Sequence, residues 1–452
     1  MDNGKLINQT ESICPYCLKK ILASKVKYGD QIYMEKNCPQ HGNFKTLIWD
    51  GEPSMESWKN EKIPAFPNKP YTKVDKGCPF DCGLCAEHRQ HTCTALIEVT
   101  KRCNLKCKFC FASSGDNNQS ADIDMEKIKF MYNSILKSAG ACNIQLSGGE
   151  PTMREDLPDI VKLGHDLGFE FIQVNTNGIR IASDMNYVKK LKEAGLNSIF
   201  LQFDGTNDLI YKKLRGVELL SLKIKAIDNC KKNNIGVILV PTLVPDVNLS
   251  DIGNIIDFGL DNIPVVRGVH FQPVSYFGRF SEVPQNKRVT IPQVLRHIEA
   301  QTDGRIKKES FKPPGCENAF CSFHGNFTYK GKGELMAISS KKSSCCEKPK
   351  PAEIGAQKAK SFTARSWSGV KMKGNVVKLS SGAAMTWDDI IYNIKNSSFS
   401  ISGMAFQDAW NFDIERVKDC CIHEVSPSGK LIPFCAYNLT DYSGKYIYRG
   451  KE

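Results

Sequence analysis

Residues 100–111 read TKRCNLKCKFCF and place Cys103, Cys107 and Cys110 at a CxxxCxxC spacing, directly after the apolar segment 95–99. A [4Fe–4S] cluster normally takes four cysteine ligands. Three thiols in one loop therefore leave one iron free to bind a substrate or cofactor. A structural zinc site or a redox cysteine pair is the alternative for such a spacing. The position directly after a strand favours the cluster.

Apolar strands alternate with amphipathic helices from residue 94 to about residue 274, which is typical of βα units around a parallel sheet. The strand candidates are 95–99, 143–146, 171–175, 198–203, 237–243 and 268–273. The helix candidates between them are 124–138, 157–167, 186–194, 219–233 and 251–260. Six units predict an α/β fold, a partial (β/α)6 barrel with its functional groups in the loops after the strands.

The remaining segments flank this barrel. A chain of 452 residues exceeds one small core and suits a large catalytic domain with added modules. We predict a metal-binding module at 1–50, a linker and auxiliary-cluster segment at 51–93, the barrel at 94–303 and a cysteine-rich region at 304–452. The linker is recognised by its PAFPNKPYTK composition.

Composition and cysteine usage predict a folded cytoplasmic protein. No apolar run reaches the 18 or so residues that a membrane span requires, and the opening MDNGKLINQTES has no apolar core of a signal peptide. The chain has 19 cysteines. Because a reducing cytosol does not keep disulfides, metal thiolates explain these cysteines better.

The formal net charge of +12 is compatible with several partners. Nucleic acid, an anionic membrane surface and an anionic substrate are all attracted by excess positive charge, and lysines spread over the surface are the plain alternative. Aromatic stacking platforms and a basic helix are not evident, so we expect no nucleic-acid partner. A zinc-ribbon nucleic-acid-binding protein therefore remains only the third hypothesis.

A glycine-rich motif, Ser147-Gly148-Gly149-Glu150-Pro151, follows the second strand candidate. The glycines let the backbone approach a ligand closely, and Glu150 offers an acceptor for an ammonium group. In isolation the motif would indicate a turn before a helix. Its place downstream of the three-cysteine loop favours a binding role.

Polar residues end the third and fourth strand candidates. We predict that Asn175, Asn177, Gln202 and Asp204 face the mouth of the barrel, since side chains at strand ends gather there. Asn and Asp are also frequent turn formers, which is the alternative for each of them. The sixth candidate, with His270 and Gln272, is similar.

A second CxxxCxxC motif precedes the first. It holds Cys78, Cys82 and Cys85, and Cys93 lies eight residues further on. We assign these four cysteines to an auxiliary cluster, because the motif follows no strand, lacks a Gly-Gly-Glu partner and has a fourth thiol to close the site. His88 and His91 are alternative ligands or simply hydrogen-bonded side chains.

Two further cysteine groups lie near the ends of the chain. Cys14, Cys17, Cys38 and His41 have the CxxC and CxxH spacing of a mononuclear zinc or rubredoxin-like iron site. The seven cysteines after the barrel suffice for one more cluster, although some can be free thiols: Cys316, Cys321, Cys345, Cys346, Cys420, Cys421 and Cys435. From this set we predict five metal ligands, all except Cys345 and Cys346. Cys142 and Cys230 are expected in the core.

The three-cysteine loop and the Gly-Gly-Glu motif resemble those of the radical S-adenosylmethionine superfamily. The resemblance implies that the methionyl group of S-adenosylmethionine chelates the open iron and that Phe109 is the aromatic residue before the third cysteine. It implies that Gly148, Gly149 and Glu150 bind the methionyl amine and that the polar strand ends contact the ribose, the carboxylate or the substrate. An electron from the cluster would then yield a 5′-deoxyadenosyl radical that abstracts a hydrogen atom from a carbon.

A narrower likeness covers nearly the whole chain. The segments CPYCLKKILA, CPQHG, CPFDCGLCAEHRQHTC, CNLKCKFCFA, QLSGGEPT, NTNG, FLQFDGT and CCIHEVSPSGKLIPFCAYN resemble enzymes related to archaeal tetraether lipid synthase and their bacterial relatives. That group implies auxiliary [4Fe–4S] clusters, a rubredoxin-like mononuclear iron and a reductant such as flavodoxin or ferredoxin. It also implies coupling of sp3 lipid or alkyl carbons.

This narrower likeness leaves two substrates open. Lipid coupling predicts an apolar tunnel lined by Phe200, Phe203, Phe271 and Phe277, and basic patches that hold anionic head groups at a membrane surface. Other relatives resemble pterin-directed methyltransferases or radical enzymes that modify peptides or cofactors. A small polar cavity would favour this second hypothesis.

Overall fold

The computed structural model describes residues 4–115, 121–280, 287–331, 333–338, 349–370 and 396–450, and it begins with a four-stranded antiparallel sheet. The strands, paired in chain order, are β1 (Lys5–Ile13), β2 (Lys20–Tyr28), β3 (Gln31–Cys38) and β4 (Gly42–Asp50). The β1–β2 and β3–β4 turns lie at the same end of the sheet. A two-residue strand, β5 (Lys62–Ile63), follows in the linker.

The six predicted barrel strands are all present. They are β6 (Thr94–Thr100), β7 (Asn143–Gly148), β8 (Ile172–Thr176), β9 (Ser198–Gln202), β10 (Gly236–Val240) with the short β11 (Thr242–Leu243), and β12 (Val266–Pro273). Neighbouring strands pair in parallel, and β11 pairs with β12. Their carboxyl ends therefore share one edge, which confirms the predicted partial (β/α)6 barrel.

Helices cover the outer face of this sheet. They are α1 (Met125–Ala139), α2 (Leu157–Asp166), α3 (Ile179–Ser183), α4 (Met185–Glu193), α5 (Asp208–Arg215), α6 (Leu220–Lys232), α7 (Ile252–Asp261) and α8 (Ile291–Gln301). Asp124, Asp184 and Asn207 cap α1, α4 and α5 by accepting a hydrogen bond from a first-turn amide, the usual role of these residue types. Fully buried aliphatic side chains of helices and strands form one continuous core.

The carboxyl-terminal segment extends the same sheet at both edges. Its elements are β13 (Ser322–Gly331), β14 (Glu334–Ala337), β15 (Lys350–Pro351), α9 (Ala352–Trp367), β16 (Ser398–Met404), α10 (Ile414–Lys418), β17 (Ile422–Val425), β18 (Leu431–Pro433) and α11 (Phe434–Tyr437). Strand β16 pairs in parallel with β12, and β17 pairs in parallel with β6. The predicted boundary between the barrel and the cysteine-rich region, at residue 304, lies between β12 and β13. Both strands belong to one twelve-stranded sheet of the described residues.

Helix α9 lies across the amino-terminal ends of the barrel strands. The side-chain amide of Asn143, at the start of β7, donates to the carbonyl of Lys360 at 3.3 Å. The guanidinium of Arg267, near the start of β12, donates to the carbonyl of Ser366 at 3.0 Å. Since both partners lie at strand starts, α9 forms the floor of the barrel.

Among the residues described, no helix combines the length and the apolar character that crossing a bilayer requires.

Replacing Gly268 by alanine should destabilise the protein. A Cβ at this position in β12 would overlap with the backbone oxygen of Ser400 in the adjoining β16. Overpacking of this kind costs about 1–3 kcal/mol, which urea unfolding of Gly268→Ala can measure. Gly315→Ala is the control, because a Cβ there meets no atom within 4 Å. Equal stability of both variants would contradict the β12–β16 pairing.

Candidate active site and metal centres

The loop with Cys103, Cys107 and Cys110 lies directly after β6, and all three side chains line a cavity inside the barrel. Arg279 holds this loop: its Nε donates to the carbonyl of Cys107 at 2.8 Å, and its own carbonyl accepts the amide of Cys110 at 3.0 Å. Burial, assisted by the nearby Glu150 and the other two thiols, raises the pKa of Cys103 to about 12. A metal centre would supply the positive charge that a buried thiolate requires.

The two glycines of the Gly-Gly-Glu motif pack against the three-cysteine loop. A Cβ on Gly148 would overlap with the backbone oxygen of Thr100, and one on Gly149 with that of Arg102. The amide of Gly149 donates to Thr100 at 2.9 Å, and the amide of Glu150 donates to Arg102 at 2.8 Å. The glycines therefore allow close approach to the cysteine loop, and their contact with a bound ligand stays a prediction.

Glu150 is held in a fixed orientation beside the cavity. Its side chain is buried, and its Oε1 accepts hydrogen bonds from the hydroxyl of Thr176 at 2.7 Å and the amide of Thr152 at 3.1 Å. Its Oε2 accepts a hydrogen bond from the amide of Asn177 at 2.7 Å. Because Oε2 accepts only this hydrogen bond among the described residues, it retains capacity for a second, as binding an ammonium group requires.

Three of the four predicted strand-end residues also line the cavity: Asn175, Asn177 and Gln202. The side-chain amide of Asn177 donates to Asn104 in the cysteine loop at 2.6 Å. The Oε1 atom of Gln202 is buried and has no hydrogen-bond partner among the described residues. Such an atom is available to a bound molecule, since buried polar atoms rarely stay unpaired.

Asp204 is placed differently from the other strand-end residues. It is fully buried, and its two carboxylate oxygens accept hydrogen bonds from Nε and Nη2 of Arg215 at 2.7 and 2.6 Å. Arg215 itself lines the cavity beside Cys107. Asp204 therefore orients Arg215, a site residue that sequence reasoning missed. Arg215 lies at the end of a short helix, α5, that carried no recognised motif.

Phe109 and the residues of the sixth strand complete the upper part of the cavity. Phe109 lines it and packs edge-on against Tyr276, with ring centroids 6.4 Å apart. His270 and Gln272 line it from β12. Burial lowers the pKa of His270 to about 4, so this imidazole is neutral and its Nδ1 lies 2.9 Å from the hydroxyl of Ser402.

The cavity has a volume of about 850 Å³ and extends from the three-cysteine loop to Cys93, Cys316 and Cys421 near the barrel floor. The sulfur atoms of these latter three cysteines lie within 4.8 Å of one another. This grouping differs from the predicted set of Cys78, Cys82, Cys85 and Cys93. The β6–β17 pairing, which local spacing does not reveal, brings Cys421 beside Cys93.

Cys78, Cys82 and Cys85 stay together in the structure. Each is buried, and the other two thiols raise the pKa of Cys82, together with burial. The hydroxyl of Tyr448 accepts the amide of Cys82 at 2.9 Å and donates to the carbonyl of Pro79 at 2.7 Å. The carboxyl-terminal end of the described chain thus closes over this group.

Cys321, Cys420 and Cys435 form a third group, and Arg416 lies beside Cys321 and Cys435. The guanidinium Nε and Nη2 atoms of Arg416 each lie 3.4 Å from the sulfur of Cys321. Burial raises the pKa of Cys435 to about 12, and Cys321 contributes while Arg416 opposes the shift. Cys345 and Cys346 lie outside the described residues.

Two further cysteines and two histidines pack or form polar contacts outside these groups. Cys142 and Cys230 are buried in the core, as expected. His88 lies 2.8 Å from the carbonyl of Cys420 and 3.2 Å from His423 through its Nε2 atom, so it is a hydrogen-bonded side chain. The side chain of His91 is 42% exposed and lies 3.8 Å from Glu353.

The N-terminal turns bring Cys14, Cys17, Cys38 and His41 together. The Nδ1 atom of His41 lies 3.5 Å from the sulfur of Cys14 and 3.4 Å from that of Cys38, and the sulfurs of Cys17 and Cys38 are 3.9 Å apart. A tetrahedral ion with metal–sulfur bonds of about 2.3 Å places sulfur ligands about 3.8 Å apart. These residues therefore fit a single zinc or iron ion.

Two family models match the chain in agreement with this geometry. The radical SAM superfamily model matches residues 97–259, and the HMPTM N-terminal zinc ribbon domain matches residues 6–50. The chain belongs to the radical S-adenosylmethionine superfamily. The four-iron cluster and S-adenosylmethionine of this superfamily fit the three-cysteine loop, and the further cysteine groups fit auxiliary metal centres.

Curated relatives extend the comparison beyond the barrel. The chain is 37% identical over 475 residues to the 7,8-dihydro-6-hydroxymethylpterin dimethyltransferase of Methanocaldococcus jannaschii, covering 95% of this chain and 93% of that protein. It is 35% identical over 189 residues to the Fe-coproporphyrin III synthase of Methanosarcina barkeri, covering 41% and 45%. Membership of the tetraether lipid synthase group stays a prediction.

Solved structures give more distant matches. SuiB of Streptococcus suis bound to its precursor peptide SuiA matches with 18% identity and a TM-score of 0.41, covering 48% of this chain and 46% of that one. The anSMEcpe structure with bound AdoMet and the Cp18Cys peptide matches with 20% identity and a TM-score of 0.37, covering 46% and 58%.

The variant Cys107→Ala should lose about four irons and four sulfides per chain, because two thiolates cannot hold the catalytic cluster. Iron and sulfide analysis after anaerobic purification checks this. Cys230→Ala is the matched control, since Cys230 is a buried core cysteine of α6. Equal metal content in the two variants would show that the three-cysteine loop does not hold the cluster.

The variant Asp204→Asn should destabilise the fold by about 3–5 kcal/mol, because it leaves the buried guanidinium of Arg215 without its counter-ion. Urea unfolding measures the change. Asp166→Asn, which removes an exposed ion pair with Lys162, should change stability by less than about 0.5 kcal/mol. A neutral effect of Asp204→Asn would show that Arg215 does not depend on this carboxylate.

Proposed function

We propose that the chain is a radical S-adenosylmethionine enzyme that methylates a carbon of a small polar heteroaromatic compound of the pterin type. The observation that carries this proposal is the similarity to the pterin dimethyltransferase, which covers 93% of that relative at 37% identity. The matched region includes the N-terminal metal module, the barrel and the carboxyl-terminal segment. A shared barrel alone would not support a shared substrate.

The side chains around the cavity support a polar ring as substrate. Amides project into it from several strands, namely Gln145, Gln173, Asn175, Gln202, Gln272 and Asn326. Amides offer both donors and acceptors, which match the nitrogen and oxygen atoms on the edge of a pterin ring. Phe200 and Trp367, stacked with ring centroids 5.8 Å apart, add a flat apolar surface to the cavity wall.

Lipid coupling, the alternative proposal, receives less support from the same cavity. Four phenylalanines were expected along an apolar tunnel, and two of them, Phe200 and Phe277, line the cavity. Phe203 and Phe271 are fully buried in the core instead. Amides therefore interrupt the apolar surface of the cavity wall, which suits a long alkyl chain less well than a continuous apolar tunnel would.

The proposed reaction replaces a substrate C–H bond by a C–CH3 bond. When bound, the cluster and S-adenosylmethionine supply the 5′-deoxyadenosyl group that takes the hydrogen atom. With a second S-adenosylmethionine as methyl donor, the balance is two electrons consumed and S-adenosylhomocysteine, methionine and 5′-deoxyadenosine released. A reductant such as ferredoxin or flavodoxin supplies the electrons.

The residues of the chain have separate tasks in this reaction. Glu150 would hold the methionyl ammonium group through its Oε2 atom. Asn177 and Gln202 would orient the nucleoside or the substrate through their amides, because both face the cavity next to the cysteine loop. Arg215, fixed by Asp204, places a positive charge beside Cys107, where it can compensate the charge of a reduced cluster.

Anaerobic incubation with reductant, methyl-deuterated S-adenosylmethionine and 7,8-dihydro-6-hydroxymethylpterin tests the proposal. We expect 5′-deoxyadenosine and a pterin that carries an added methyl group, both absent with Cys107→Ala and present with Cys230→Ala. Mass spectrometry of the products checks this, and the deuterium content tells whether the methyl group comes from S-adenosylmethionine. Formation of 5′-deoxyadenosine only with a lipid, accompanied by joined alkyl chains, would overturn the proposal.

A further inference from the structure

The cavity opens to solvent beside the amino-terminal end of α9, ahead of the face of this helix that covers the barrel floor. Most of the described residues that line the cavity are buried or half-buried. Four are exposed to solvent, namely Asn60, Gly315, Lys350 and Lys358. They lie in contacting segments: Asn60 donates to the carbonyl of Pro314 at 2.6 Å, and Gly355 of α9 packs on the backbone oxygen of Gly315. A substrate can therefore enter the barrel at this point.

Three lysines border this opening, and all three line the cavity. Lys312 lies beside β13, where its backbone exchanges two hydrogen bonds with that of His324, at 3.0 and 3.1 Å. Lys350 begins β15, just before α9, and Lys358 lies within α9, three residues after Gly355. Lysines from three different elements thus converge on one end of the cavity.

Positive charge exceeds negative charge at the opening. Lys312 and Lys358 form no ion pair with any other described residue. The one carboxylate that lines this end, among the residues described, is Glu317, and the ammonium group of Lys62 donates to the carbonyl of the same residue. The other lining carboxylate, Glu150, lies beside the three-cysteine loop at the far end. The lysines therefore retain charge that a bound anion can neutralise.

The charge of Lys312 also acts inside the cavity. His324 lines the cavity from β13, and burial together with the ammonium group of Lys312 lowers the pKa of this imidazole. Asn326 projects from the same strand into the same space and adds an amide donor. Ammonium groups combined with neutral donors suit a phosphate group, which carries about −1.5 to −2 charge at pH 7 and three acceptor oxygens.

We propose that Lys312, Lys350 and Lys358 form a subsite for a phosphate group of the substrate. The inference rests on the proposed function and narrows its substrate class to a phosphate ester of a pterin-type alcohol. The ring would lie among the amides inside the barrel. The phosphate would stay at the opening, in contact with water, where it avoids the cost of burying a charge. A phospholipid head group carries the same phosphate chemistry, and binding experiments distinguish the two sources.

Inorganic pyrophosphate tests the subsite without any substrate. Isothermal titration calorimetry compares the full-length chain with the double variant Lys312→Gln/Lys358→Gln. We expect at least about tenfold weaker binding in the variant, because two charged donors are lost. Lys231→Gln is the matched control, since Lys231 is an exposed lysine of α6 that does not line the cavity. Equal affinity in the two variants, or no binding to the unchanged chain, would overturn the subsite.

The phosphate ester of 7,8-dihydro-6-hydroxymethylpterin tests whether the phosphate belongs to the substrate. Anaerobic fluorescence titration without reductant gives its affinity and that of the non-phosphorylated compound, independently of catalysis. We expect the ester to bind at least about tenfold more tightly. This advantage should be lost in Lys312→Gln/Lys358→Gln and kept in Lys231→Gln. Equal affinity of the two compounds for the unchanged chain would overturn the assignment to a substrate phosphate.

Sedimentation with phosphatidylglycerol vesicles, with phosphatidylcholine vesicles as the control, tests the lipid source. Vesicle binding that requires Lys312 and Lys358, together with equal affinity for the two pterins, would assign these lysines to a head group and overturn the proposal. If pyrophosphate binds through the lysines and neither pterin binds, the phosphate subsite is supported and the proposed function is refuted. The two failures are therefore distinguishable.

Discussion

Parallel pairing of β17 with β6 determines how the carboxyl-terminal segment contributes to the site. Ile422 lies opposite Thr94 and His423 opposite Ala95 in this pairing. The register places Cys421 beside Cys93 at the barrel floor. It also covers the edge of β6, which would otherwise expose unpaired backbone groups. A shift of one residue would turn each β17 side chain to the opposite face of the sheet and would separate the two sulfurs.

Buried charges tie the carboxyl-terminal segment to the N-terminal module and the barrel. Asp413 pairs with Lys25 of β2 at 2.6 Å, and Asp408 pairs with Arg288, just before α8, at 2.7 Å. Lys36 of β3 donates to the carbonyl of Ala409 at 2.7 Å. Burial of unpaired charges is costly, so each partner is required once the other is buried. The three parts of the chain therefore depend on one another for their positions.

The sequence predicted what local patterns encode. Strand positions followed from apolar periodicity, and the ligands of the three-cysteine loop lie in one short segment, so their grouping needed no tertiary information. Cys93, Cys316 and Cys421 come from three segments that meet only through strand pairing across the sheet. The same limit applies to Asp204: its place at a strand end was evident, but its partner Arg215 lies on a helix whose position the sequence did not reveal. Spacing therefore identifies ligands within a loop, whereas sheet register decides which loops meet.

The space inside the barrel extends from the three-cysteine loop to the cysteines at the barrel floor. Closed barrels are usually filled by layers of bulky aliphatic side chains. Here the inward positions of β8, β9 and β12 carry amides, an imidazole and the ring of Phe200, and the space between them remains open. Helix α9 closes the floor with one face, on which Ala359, Phe362, Thr363 and Trp367 follow a helical spacing. Closure at this end matters because a carbon radical formed near the cysteine loop must be kept from solvent and from unintended hydrogen donors. The interior thus combines amides with an apolar wall, and the helix that covers its floor belongs to the segment that β16 and β17 attach to the barrel.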